Sequence, residues 1–116
     1  MKIELEQVSP HEIEKRSFEI ITEELNGRTF PEDQELVVKR CIHTSADFDY
    51  AKNLVYSEHA VEKALEAIRG GASIVTDTQM GRSGINKKRL AQYGGQVYCF
   101  MSDEDVAQAA KKNGTT

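Results

Sequence analysis

Ala72-Ser73-Ile74-Val75-Thr76 follows the glycine pair Gly70-Gly71 and precedes the polar stretch 77–84. A short β-rich run bounded by turn signals reads as a buried strand of a parallel sheet. A second such run, Gln96-Val97-Tyr98-Cys99-Phe100, follows Gly94-Gly95. Between the two, Asn86 is placed to cap a short helix reaching Tyr93. Strand, helix, strand predicts a right-handed crossover between parallel strands. Ser102 is placed to cap a last helix, Asp103 to Lys112, which stops at Asn113-Gly114.

Upstream the period is helical. Ser9-Pro10-His11-Glu12 has the form of a capping box with proline at the first helical position. Ile13, Ile20, Ile21 and Leu25 then form a stripe, flanked by Phe18, until Asn26-Gly27 ends it. Ser17 lies within that stripe, so its hydroxyl needs an inward partner, either a backbone carbonyl or a ligand. Pro31 opens a second helix whose inner face reads Leu36, Val37, Arg40 and Cys41. His43, seven residues after Leu36, shares that direction and falls at the carbonyl end, where cations are favoured. Residues 47–56 read as a short irregular helix or turn. Ser57 is placed to cap a third helix with the stripe Val61, Leu65 and Ile68.

The predicted class is α/β: a three-layer-like parallel sheet with flanking helices, in one domain over residues 1–116. Two strands are few for a parallel sheet, which leads to the expectation of an incomplete, truncated domain. Ligands of such sheets bind beyond the carboxyl ends of the strands. That rule points to Thr76, Asp77, Thr78 and the expected loop Met80–Gly84, which holds Arg82 and Ser83, with Met101 and Ser102 beside it.

Composition narrows the function. A formal net charge of −4 over 116 residues argues against general nucleic-acid binding. No apolar run is long enough to span a bilayer, and the first residues lack a signal-peptide core, so a cytoplasmic protein without a membrane partner is expected. Cys41 and Cys99 read as reduced thiols. His11, His43 and His59 do not pair at metal-binding spacings, and the glycines fit neither the phosphate loop nor the dinucleotide fingerprint.

One stretch concentrates chemistry: Arg40-Cys41-Ile42-His43-Thr44-Ser45-Ala46-Asp47-Phe48-Asp49. An imidazole beside a cation, hydroxyls and carboxylates suits proton transfer near neutral pH. The competing reading is a helix cap or a satisfied surface histidine. Asp47, four residues on, is a candidate to orient the ring. Arg82, Lys87, Lys88 and Arg89 place four cations within eight residues. They form either a landing site for a carboxylate or phosphate, or a solvated helix face.

Taken in order, Glu14-Lys15-Arg16-Ser17-Phe18-Glu19-Ile20-Ile21, Ile42-His43-Thr44-Ser45-Ala46-Asp47-Phe48, Ile74-Val75-Thr76-Asp77-Thr78-Gln79-Met80 and Ser83-Gly84-Ile85 resemble the precorrin-8X methylmutases. Members of that family are nearly twice this length, which again leads to the expectation of a truncated chain. The resemblance implies an isomerase that moves a methyl group between adjacent ring carbons of a carboxylate-rich tetrapyrrole. It implies that His43 is catalytic, giving a proton or hydrogen bond to a ring nitrogen, and that Ser17 lies near the pocket. Arg40, Thr76, Asp77, Arg82 and Ser83 are the further candidates for holding substrate. The resemblance also implies a homodimer and no cofactor, with cobalt present only inside the substrate. A reading from another class is a non-catalytic tetrapyrrole- or anion-binding fragment that self-associates across its unfinished sheet.

Overall fold

The computed structural model describes residues 3–116, which pack as two compact units, one ending at Val61 and the other running Glu62–Thr116. The first contains α1 (Ile13–Glu24), α2 (Glu32–Ser45) and α3 (Tyr50–Asn53), and α4 (Ala60–Arg69) begins at its end. Ser9 and Glu12 meet, but as a turn ahead of α1 instead of the expected capping box. The Ser9 hydroxyl donates to the Glu12 carboxylate at 3.1 Å, and the Glu12 N–H donates to the Ser9 carbonyl at 2.9 Å. The chain leaves α1 through Asn26 and Gly27, both at positive φ, as the stop signal requires.

Ile21 of α1 packs against Val38 and Ile42 of α2, with Phe18, Leu25, Phe30, Phe48, Ala51 and Leu54 closing around them. This corrects the expected inner face of α2. Leu36 is 65% exposed, whereas Ile42 is 1% exposed. The buried pair is spaced i, i+4, and Leu36 lies about 200° round the helix from Val38. The helix ends at Ala46, whose N–H bonds to the Ile42 carbonyl at 2.7 Å with φ at 58°.

The second unit holds the rest of α4, then β1 (Ile74–Val75), α5 (Gln79–Gly84), α6 (Lys87–Ala91), β2 (Val97–Tyr98) and α7 (Glu104–Asn113). The strands pair in parallel, Ile74 opposite Val97 and Val75 opposite Tyr98, so the α/β reading holds. Leu90, Val97 and Cys99 are buried here. Asn86 caps α6 as expected, its side-chain oxygen accepting from the Arg89 N–H at 2.9 Å. The stretch read as a loop is instead α5, because the Thr78 hydroxyl accepts from the Gly81 N–H at 2.9 Å and starts a turn that two glycines would not favour alone. Two expected caps also differ. Ser57 accepts from the Ala60 N–H through its backbone carbonyl, and α7 starts after Asp103, with Ser102 preceding it. Both cysteines carry free thiols. No helix among the described residues is long and apolar enough to cross a membrane.

Candidate active site

His43 sits partly buried in the last turn of α2. Facing it across the helix pair is Ser17 of α1, with its Oγ 2.7 Å from Nδ1 of the imidazole. The inward hydroxyl therefore finds its partner 26 residues away in sequence. A hydroxyl can donate to a bare Nδ1 or accept from a protonated one, so this contact survives either state of the ring. With Nδ1 occupied, Nε2 is the nitrogen left for a ligand, and it can give or take a proton while the ring stays held. Ser17, His43, Ile20, Ile21, Ala46 and Phe48 line one cleft of about 490 Å³. An apolar wall with a few directed polar groups is the usual make-up of a small-molecule site.

The other polar groups of the 40–49 stretch turn away from this role. Thr44 and Ser45 donate to the carbonyls of Arg40 and Cys41, at 3.0 and 2.7 Å. The Asp47 carboxylate accepts from the Asp49 N–H at 2.9 Å and shapes its own turn. The group on the imidazole is thus Ser17, not Asp47. Arg40 donates to Glu14 at 2.6 Å and lies over the Phe18 ring, 5.1 Å from its centroid. Phe18 meets His43 in a T-shaped contact, centroids 5.7 Å apart and planes at 70°. The Arg40 hydrogen bond and charge hold the Glu14 carboxyl below the usual carboxylate range, with His43 adding a smaller pull. The sequence reading named Glu14 and Phe18 but gave them no part in the site. Their i, i+4 spacing around Ser17 was the available signal.

In the second unit, Thr76 and Asp77 line a hollow of about 360 Å³ at the strand ends, with Val75, Phe100, Met101 and Val106. The Thr76 hydroxyl donates to the Thr78 carbonyl at 2.9 Å. Arg82 and Ser83 lie exposed on α5, outside that lining. The cation run does not gather at one point. Lys87 donates to the Arg82 carbonyl at 2.7 Å, while Arg89 shares a groove with Arg69, Leu65 and Ile68. Among the described residues no group of three His, Cys, Asp or Glu side chains is placed to hold a metal ion.

An α/β chain with a parallel strand pair and a hydroxyl-held histidine in a cleft has the parts of an acid–base site on a small-molecule scaffold. The family model described as precorrin-8X methylmutase matches residues 12–116, and the chain belongs to that family. It is 41% identical over 109 residues to the cobalt-precorrin-8 methylmutase of Priestia megaterium, covering 94% of this chain and 48% of that protein. It is 43% identical over 104 residues to the cobalt-precorrin-8 methylmutase of Leptospira interrogans, covering 90% of this chain and 47% of that protein. The solved precorrin-8X methyl mutase from Thermus thermophilus superposes with a TM-score of 0.79 at 36% identity, over 88% of this chain and 50% of that one. The chain spans about half the length of the curated relatives it matches.

Proposed function

We propose that this chain carries the proton-donating part of a precorrin-8X methylmutase, an isomerase that shifts a methyl group between adjacent ring carbons of a precorrin-8 or cobalt-precorrin-8 tetrapyrrole. The observation that carries the reading is the Ser17–His43 contact, which orients the imidazole and leaves Nε2 to act. Family membership and relatives named for this reaction support it. A methyl shift within a preformed ring requires no covalent intermediate with the protein. It requires an acid positioned at a ring nitrogen, worth roughly 10²–10⁴ in rate, and a wall that keeps the macrocycle in register. His43 is the acid, Ser17 its holder, and Ile20, Ile21 and Phe48 the apolar wall.

Thr76, Asp77, Arg82 and Ser83, all in the second unit, are the further candidates for contacting substrate. The reaction needs no further cofactor in this reading, since cobalt enters only as part of the substrate. The protein acts in the cytoplasm as a homodimer. Visible absorbance tests the proposal: a corrin-type product spectrum should form with the native chain and vanish in His43→Ala, while tetrapyrrole binding persists. Unchanged conversion by His43→Ala would remove the histidine from the mechanism. Binding without conversion by the native chain would reduce its role to that of a binding protein.

A further inference from the structure

We propose that Glu14, Arg40 and Phe18 form a positioning stack that fixes the plane of the His43 imidazole. The inference rests on the reading of His43 as the acting residue and adds what holds it. Ser17 alone grips the ring at one atom, Nδ1, and a single hydrogen bond leaves the plane free to swing about it. The second constraint is the Phe18 ring set against the imidazole at 70°. Phe18 is held in turn, because the Arg40 guanidinium covers it at 5.1 Å and Glu14 anchors that guanidinium at 2.6 Å. Each contact alternates between α1 and α2, so the series spans the two helices that also supply Ser17 and His43.

The Glu14–Arg40 part of the stack contributes little to holding the helices together. The Glu14 and Arg40 side chains are 57% and 52% exposed, and ion pairs so placed add little stability. The packing centre is Ile21, Val38 and Ile42. What the exposed pair does is cap an aromatic ring that touches the imidazole. This reassigns Arg40. Its guanidinium is engaged with Glu14 and Phe18, which makes it a positioning residue in place of a substrate contact.

Nuclear magnetic resonance on the intact chain tests this without any turnover assay. The native protein should show cross-peaks between Phe18 ring protons and the His43 ring, with one His43 side-chain rotamer. Arg40→Ala should weaken those cross-peaks severalfold and average the rotamer, with the melting temperature nearly unchanged. Phe18→Leu should abolish the ring constraint, and Phe18→Tyr should retain it. Unaltered His43 signals in Arg40→Ala, or averaging in Phe18→Tyr equal to that in Phe18→Leu, would overturn the stack. These signals do not depend on catalysis, so failure of the stack and failure of the isomerase reading are separate results. In a turning-over enzyme, Arg40→Ala should lower kcat about tenfold with little change in KM, the pattern of a displaced acid.

Discussion

Gly95 passes so close to the carbonyl oxygen of Ala72 that a methyl group on it would overlap that oxygen and press into the Leu90 side chain. The approach brings the turn before β2 against the turn before β1, which keeps the strand pair in register. Gly95→Ala should destabilise the fold by about 1–3 kcal/mol, as overpacking does. Gly84→Ala, where an added carbon meets nothing within 4 Å, is the control and should be close to neutral. Urea midpoints that move equally for the two variants would refute the steric argument.

Ile42 and Leu36 lie on the same helix and differ in burial, 1% against 65% exposed. Ile42→Ala should cost about 2–5 kcal/mol, and Leu36→Ala about 0.5 kcal/mol or less. Calorimetry on the pair decides which face of α2 is inward. A larger loss at Leu36 would restore the face expected from the periodicity.

Ala46 holds φ at 58° where α2 ends, a conformation that costs a residue with a side chain roughly 1–2 kcal/mol. Ala46→Gly removes that strain and adds unfolded-chain entropy, so a net gain of up to about 1 kcal/mol is expected. A fall in melting temperature would mean that the methyl group, which lines the His43 cleft, packs there more tightly than its position shows.

Tyr56 buries its hydroxyl with no hydrogen-bond partner among the described residues. Burial pushes the phenol above its ordinary range, with Cys41 and Asp33 adding to the shift. Tyr56→Phe should therefore be neutral or mildly stabilising near pH 7, since no bond is lost. The folded chain keeps the phenolic proton to higher pH than the unfolded chain does. The tyrosine form is thus fully stable below about pH 10 and loses stability as pH rises through its folded value. Denaturation midpoints of the two forms should run parallel to pH 9 and then diverge against the native form. Parallel curves at alkaline pH would show the hydroxyl to be solvated.

Much of the fold was legible because its punctuation is local. Asn26-Gly27 and Gly70-Gly71 stop helices wherever they occur, and the apolar runs after the glycine pairs became the paired strands. What was missed depends on balance or distance. In α5 a threonine cap outweighs two glycines, and periodicity cannot weigh one hydrogen bond against another. On α2 an exposed leucine mimicked a core position, because only the partner helix decides which apolar stripe is covered. The histidine stood out from its neighbours, but the hydroxyl on it came from 26 residues upstream. Nearby Asp47 was a candidate partner because sequence proximity is visible in the sequence and the folding of α1 onto α2 is not.

The parallel pair makes its bonds through alternate residues. The amides of Ile74 and Thr76 reach the carbonyls of Gln96 and Tyr98, each at 2.8 Å. In such a ladder the amide between them, that of Val75, points off the opposite side of its strand. Deuterium uptake along β1 should therefore be uneven: slow at 74 and 76, and fast at 75 in this chain by itself. Any polypeptide that lays a strand along that side would slow 75 selectively, turning one backbone proton into a reporter for an added strand.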